Sequence, residues 1–232
     1  MDVPLLVVGA GPYGLATAAH AKRRGIEPLV AGEPMAFWRR NMPERMLLRS
    51  GTDWHLDAAG VDTFEAFLIR QGIEPAELSP VPLQTFLDYA GWFAERAGIR
   101  PRRTLVTRLE RAPGGFAAGL EDGASVTAAA VVAAPGIASF PVIPDWLPAS
   151  LPDDRWSHTC SLVSFERLED ARLLIVGGRQ SAFELAALLA EAEREAIGRR
   201  LWAEGRLKLE SSLTPQLPEG VVHGRPLTSV AA

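Results

Sequence analysis

Three glycines near the start of the chain have the spacing of a dinucleotide-binding site. They stand in the run Gly9-Ala10-Gly11-Pro12-Tyr13-Gly14, which matches the pattern GxGxxG. In such a run the first glycine permits a tight turn, and the second lets the backbone approach a pyrophosphate. The third lets the following helix pack closely on the preceding strand. The pattern therefore predicts that Gly9, Gly11 and Gly14 form part of a nucleotide site.

Two further features would hold the rest of the nucleotide. Pro12 and Tyr13 would open a helix whose free N–H groups face the phosphates. Glu33 stands about 20 residues beyond the glycines, where an acidic side chain accepts hydrogen bonds from an unphosphorylated adenosine ribose. These residue types suit both FAD and NAD, so the motif by itself leaves the choice of cofactor open.

The elements that must position these residues follow a β-α-β order. The apolar residues 5–8 predict a buried strand, the alanine-rich residues 13–24 a helix that Gly25 ends, and residues 28–31 a second strand. Residues 63–71 and 82–97 predict two more helices, and residues 104–134 predict a β-meander. We therefore expect an α/β fold with a Rossmann-like parallel sheet and a β-meander.

Composition and charge exclude several classes of protein. Of the 232 residues 47% are hydrophobic, which is ample for a packed core, and the formal net charge is −4. A negative chain does not suit nucleic acid, whose phosphates require clustered cations. Cys160 is the only cysteine, so no intrachain disulfide forms, and no apolar run reaches the roughly 20 residues of a membrane span. We expect a cytoplasmic protein with no metal site, no nucleic-acid partner and no membrane partner.

The segment after the second strand resembles the flavin-dependent monooxygenase superfamily. This superfamily includes flavin-containing monooxygenases, Baeyer–Villiger enzymes and amine N-hydroxylases. The resemblance rests on Phe37-Trp38-Arg39-Arg40-Asn41-Met42-Pro43, on Met46-Leu47-Leu48-Arg49 and on Val131-Val132-Ala133-Ala134-Pro135-Gly136. It implies that Trp38, Arg49 and Gly136 lie close to FAD. Core packing is the alternative role for Trp38, Met42 and Met46.

A second and shorter copy of the glycine motif begins at residue 173. Residues 173–176 predict a strand, Gly177-Gly178 a turn and residues 181–190 a helix. The run Gln180-Ser181-Ala182-Phe183-Glu184 is similar to the segment that binds NADPH in N-hydroxylating monooxygenases. This similarity implies that Gly177, Gly178, Gln180 and Ser181 contact NADPH.

This second copy lacks the rest of a nucleotide-binding unit. Arg179 stands where the first copy has Gly11, and a side chain there restricts the approach of a phosphate. The charged residues 191–209 predict a surface helix in place of the second strand that a Rossmann unit requires. We therefore expect an incomplete second nucleotide-binding unit.

The predicted organisation has three parts. They are an FAD-binding domain at residues 1–140, a linker at 141–170 and a truncated NAD(P)H-binding-like segment at 171–232. The resemblance implies an FAD-binding oxidoreductase of the monooxygenase type, with NADPH as reductant, O2 as oxidant and a small molecule as substrate. Since the flavin performs the chemistry, no catalytic side chain is assigned.

Two alternatives remain at this point. The first is an FAD- or nucleotide-binding protein without autonomous turnover, either a truncated form or one that needs a partner reductase. The other alternative is an NAD-binding protein without flavin. In each case, apolar sheet edges without their covering strands favour a homo-oligomer.

Overall fold

The computed structural model describes residues 1–43, 45–162, 164–165, 168, 173–177 and 179–203. The strands are β1 Asp2–Val8, β2 Pro28–Ala31, β3 Leu47–Leu48, β4 Val81–Pro82, β5 Val106–Ala112, β6 Gly115–Leu120 and β7 Ser125–Ala133. The α-helices are α1 Pro12–Arg23, α2 Ala36–Arg40, α3 Phe64–Arg70, α4 Leu83–Arg96, α5 Trp146–Ser150 and α6 Gln180–Ala203. The chain divides into two compact units, Met1–Leu188 and Leu189–Ala232.

A five-stranded sheet with the order β2-β1-β7-β6-β5 organises the first unit. β1 is central to its parallel part, because it pairs in parallel with β2 on one side and with β7 on the other. β6 and β5 continue the sheet from β7 in antiparallel pairs, which makes β5, β6 and β7 a meander. The predicted Rossmann-like sheet with a β-meander is confirmed.

A short segment takes the place of a third parallel strand beyond β2. Arg102 forms an isolated parallel bridge with Ala31. Its N–H donates to the carbonyl of Val30 at 2.8 Å, and its carbonyl accepts from the N–H of Gly32 at 3.0 Å. Because this pairing is limited to one residue, no apolar run marks it in the sequence. It nevertheless fixes the residues around Arg102 beside the carboxyl end of β2.

The three helices predicted at residues 13–24, 63–71 and 82–97 are present as α1, α3 and α4. Their ends differ from the predicted ends by no more than two residues. Thr63 caps α3, where its hydroxyl accepts a hydrogen bond from the N–H of Ala66 at 3.0 Å. The apolar faces of α3 and α4 then pack together, with the rings of Phe64 and Tyr89 stacked at 4.7 Å between centroids. This aromatic cluster belongs to the same core as Val7 and Leu15, so it supports β1 and α1.

A buried aspartate fastens the loop between β3 and α3 to the end of α1. The Asp57 side chain is 0% exposed, and Arg23 donates to both of its carboxylate oxygens, with 2.9 Å from Nη2 to Oδ2. The N–H groups of Ala59, Val61 and Asp62 donate to the same carboxylate at 2.8–3.0 Å. The hydrogen bond from Arg23 therefore holds the pKa of Asp57 well below its usual range, although burial opposes this.

Tyr89 closes the same loop from the side of α4. Its hydroxyl accepts from the N–H of Leu56 at 2.9 Å and donates to the carbonyl of Asp62 at 3.0 Å. Burial raises the pKa of Tyr89 to about 12, so the hydroxyl keeps its proton and its donor role at neutral pH.

The second copy of the glycine motif differs from its prediction. Residues 173–177 form no strand, and the side chains of Leu173, Leu174 and Val176 are 48%, 79% and 65% exposed. The predicted strand is therefore wrong, because an apolar run forms a strand only where another strand pairs with it. The predicted helix at 181–190 is confirmed, and α6 extends it to Ala203. Residues 204–209 and Gly178 lie outside the described residues.

Within the described ranges, no helix combines the length and the apolar character that a membrane span needs. The predicted domain boundaries at residues 140 and 170 stay predictions.

The Asp57–Arg23 contact leads to a prediction about acid stability. Since the pKa of Asp57 is lowered on folding, its contribution is complete above the unfolded-state value of about 4 and is lost as the pH falls below it. We expect Asp57→Asn to lower the free energy of unfolding at pH 7 by about 2 kcal/mol and to flatten its decline in acid. Urea titrations between pH 3 and pH 7 measure both effects.

The matched control is Asp53→Asn, which removes an exposed carboxylate from the same loop. A loss of stability in Asp57→Asn no larger than that in Asp53→Asn would contradict the prediction.

Candidate nucleotide-binding site

The glycine turn after β1 is packed against other backbone atoms. Gly9 has a φ of +106°, and a Cβ built on it would lie 2.0 Å from the carbonyl oxygen of Ala134. A Cβ on Gly14 would lie 1.9 Å from the carbonyl oxygen of Gly9. Both distances are far below any real contact of a Cβ, so no other residue fits at either position without movement of the backbone. These glycines therefore serve the packing of the turn, as the motif predicted.

Gly11 differs from its two neighbours in the motif. Apart from Gly11 and its two chain neighbours, no heavy atom of the described residues lies within 4 Å of the position that a Cβ on Gly11 would occupy. Its φ of −79° and ψ of −172° suit any residue, so its backbone does not require glycine. The space above Gly11 is thus open where the motif places a phosphate.

The start of α1 faces this open space. Gly11 is its N-cap and provides no side-chain cap, while Pro12 occupies the first helical position. The first turn contains no acidic residue, and α1 is 12 residues long. Its uncapped N–H groups and the positive end of its dipole therefore suit an anion such as a pyrophosphate.

Three parallel strands end at the same edge of the sheet around this helix start. β1 leads into Gly9, whose N–H donates to Ala31 at the end of β2 at 2.7 Å. β7 leads into Ala134, whose N–H donates to the carbonyl of Val8 at 2.8 Å. Gly136 follows two residues later in the chain. In open α/β sheets ligands bind in the crevice at this carboxyl edge. The structure thus brings the first glycine motif together with the residues that follow β2 and β7.

Glu33 lies at the carboxyl end of β2, as the sequence predicted. Its side chain is 27% exposed, and its Oε1 is 3.6 Å from Nη1 of Arg103. Gly32 precedes it, and a Cβ there would lie 2.8 Å from the backbone nitrogen of Ala10, so the end of β2 also packs on the glycine turn. Its position after the carboxyl end of β2 agrees with the motif, and a contact of Glu33 with a ribose stays a prediction. Sequence reasoning missed Arg103, because only its bridge to β2 brings it near Glu33.

The aromatic and basic segment at residues 37–49 is partly buried and partly exposed. Trp38 is half-buried on α2, and its ring packs edge-on against Phe86 with 5.0 Å between centroids. Trp38 and Met42 both pack against the hydrophobic core, and Met46 is buried, which agrees with the core-packing alternative. Arg49 is exposed after β3, and Tyr13 is 71% exposed in the first turn of α1. Cofactor contacts of these residues stay predictions.

The residues of the second motif are engaged within their own helix. Nε2 of Gln180 donates to Oε1 of Glu184 at 2.5 Å, one helical turn further on. Ser181 is exposed, and Gly177 precedes the helix with a φ of +151°. Gly178 lies outside the described residues. Since residues 173–177 form no strand, the helix start is not joined to a sheet edge there, and an NADPH site at these residues stays a prediction.

Comparison with protein families gives one match that covers most of the chain. The family described as pyridine nucleotide-disulphide oxidoreductase matches residues 6–219. This range contains both glycine motifs and the whole sheet after the start of β1.

Individual relatives agree with this match. The chain is 33% identical over 133 residues to an FAD-dependent urate hydroxylase from Xanthomonas campestris, covering 53% of this chain and 28% of the relative. It is 30% identical over 206 residues to a ferredoxin–NADP reductase from Nocardioides, covering 84% of this chain and 53% of the relative. The chain therefore spans at most about half the length of these relatives.

Among solved structures, a mutant flavin monooxygenase from Stenotrophomonas maltophilia has a similar fold. The TM-score is 0.66 at 20% identity, and the match covers 82% of this chain and 55% of the other. At this identity the likeness shows a shared fold. Together with the family match, it confirms the predicted resemblance to flavin-dependent monooxygenases.

The contrast between Gly14 and Gly11 gives a prediction about folding. We expect Gly14→Ala to lower the free energy of unfolding by about 2 kcal/mol or more, because the new methyl group would overlap the carbonyl of Gly9. Gly11→Ala should leave the stability unchanged, since its methyl group enters open space at an allowed φ. Thermal and urea unfolding of both variants, without added cofactor, measure the difference. Equal stability of the two variants would refute this account of the turn.

Proposed function

The chain belongs to the pyridine nucleotide-disulphide oxidoreductase family, and from that premise we propose that it binds FAD as an oxidoreductase of the monooxygenase type. The observation that carries the proposal is the open space above Gly11 at the uncapped start of α1. The glycine backbones around it are interlocked, so the space is held open by the fold rather than by mobile side chains.

The residues at this edge suit a flavin dinucleotide. The N–H groups at the start of α1 would bind the pyrophosphate, and Glu33 would accept hydrogen bonds from the hydroxyls of the adenosine ribose. Trp38, Arg49 and Gly136 are the proposed contacts on the flavin side. FAD supplies the redox chemistry when it is bound, whereas the protein binds and orients it and excludes water.

The choice of FAD over NAD rests on the relatives. One is named an FAD-dependent urate hydroxylase, and a solved structure of similar fold is a flavin monooxygenase. The other relative is named a ferredoxin–NADP reductase, which supports NADPH as the reductant. O2 as oxidant and a small molecule as substrate follow from the same proposal. A cytoplasmic location and a homo-oligomer or a partner reductase are parts of it that rest on the sequence alone.

One observation favours a second candidate function. Residues 173–177 form no strand beside α6, so the described residues do not build a second Rossmann edge for NADPH. The second candidate is therefore an FAD-binding protein that obtains electrons from a separate reductase and has no turnover of its own.

Flavin content and anaerobic reduction test both candidates. We expect the purified chain to be yellow or to take up added FAD in a one-to-one ratio, measured by its visible absorbance. Loss of that absorbance on anaerobic addition of NADPH supports the monooxygenase type. Retained absorbance with NADPH, followed by bleaching with dithionite, supports the second candidate. A chain that takes up no FAD would refute the proposal.

A variant of the glycine turn connects FAD uptake to the proposed site. We expect Gly11→Arg to abolish FAD retention, because its side chain would fill the space for the pyrophosphate. Its unfolding temperature without FAD should match that of the wild type, since the described residues leave that space free. Unchanged flavin content in Gly11→Arg would place the cofactor elsewhere.

A further inference from the structure

Arg103 is a basic residue at the strand edge to which neither the glycine motif nor the resemblance assigns a role. Its Nη1 lies 3.6 Å from Oε1 of Glu33, and its side chain is 72% exposed. A single ion pair of this length between partly exposed groups contributes little to stability. The guanidinium is thus positioned by Glu33 and still presents most of its surface to solvent.

The side chain of the neighbouring Arg102 has a different partner from that of Arg103. Nε of Arg102 donates to Oδ2 of Asp122 at 2.9 Å, and Nη2 lies 2.8 Å from the same oxygen in an ion pair. Arg102 is therefore tied to the turn between β6 and β7. Since its backbone is bonded to β2, this pairing also fixes the residue that follows it. Of the two side chains, that of Arg103 contacts Glu33 after the carboxyl end of β2, whereas that of Arg102 contacts Asp122.

The order of the strands shows which part of a dinucleotide would lie near Arg103. The pyrophosphate would lie over the turn from β1 to α1, and the ribose over Glu33 at the end of β2. Going outward, the next backbone is the segment at Arg102, about 4.8 Å beyond β2. The adenine ring is the group that continues outward from the ribose. It would therefore extend toward Arg103.

We propose that Arg103 is an adenine-binding residue, whose guanidinium plane lies against the face of the adenine ring while Glu33 holds the ribose. This inference rests on the proposed binding of FAD. Arginine suits the task because its planar, weakly hydrated guanidinium stacks on aromatic rings, whereas an ammonium group has no plane. Glu33 then has two partners, and it orients the guanidinium while it accepts hydrogen bonds from the ribose.

Titration of the apo-protein with FAD tests the inference. The full chain is stripped of flavin, and the dissociation constant is measured by flavin fluorescence and by calorimetry. We expect Arg103→Ala to weaken binding by roughly three- to thirty-fold, the range of one cation–aromatic contact. Arg103→Lys should recover less than half of this loss, because it restores the charge without the plane.

The matched control is Arg100→Ala, which removes another exposed positive charge three residues earlier. We expect this variant to bind FAD like the wild type, and all the variants to unfold at the wild-type temperature without FAD.

The outcomes separate the inference from the proposed function. If wild-type protein binds no FAD, the proposed function fails. If wild-type protein binds FAD and Arg103→Ala binds it equally well, only the inference fails, and the contact with Glu33 is a surface ion pair. Full recovery in Arg103→Lys would replace stacking by simple charge attraction and would also overturn the inference.

Discussion

The contact of the Gly9 backbone with three other backbone segments is the constraint on which the site depends. The turn at Gly9 lies against Ala134 after β7, Gly14 in α1 and Gly32 after β2, at distances that leave no room for a Cβ. This contact sets the ends of the three parallel strands and the start of α1 at one place. The geometry of the proposed phosphate site is thus a property of backbone packing, and it needs few specific side chains.

A polar contact fixes the C-terminal end of α1. Arg23, in the last turn of α1, holds the buried carboxylate of Asp57, and Tyr89 closes the loop that carries it. A helix held at both ends keeps a constant direction for its N–H groups, and preorganised donors bind an anion without the cost of ordering them. The aromatic core beneath α1 supports the same arrangement. Stability and the proposed cofactor site therefore both depend on α1, but through different residues.

The two copies of the glycine motif show what such a motif requires besides its residues. The first has a strand on either side of β1, and a helix whose start opens on free space above Gly11. In the second, Leu173, Leu174 and Val176 before α6 are exposed, and the described residues 173–177 form no strand. A glycine turn binds phosphate only where a sheet edge and a helix start hold it in place. This is why the proposal assigns FAD to the first copy and leaves NADPH open at the second.

The sequence by itself determined the β-α-β unit, the meander, the helices at 63–71 and 82–97, and the positions of Gly9, Gly11, Gly14 and Glu33. These follow from local spacing, which the side-chain period of helices and strands makes visible along the chain. Only the tertiary structure decided that Arg103 meets Glu33 and that residues 173–176 form no strand. Both outcomes depend on which distant segment supplies a backbone partner, and strand pairing of this kind leaves no local pattern.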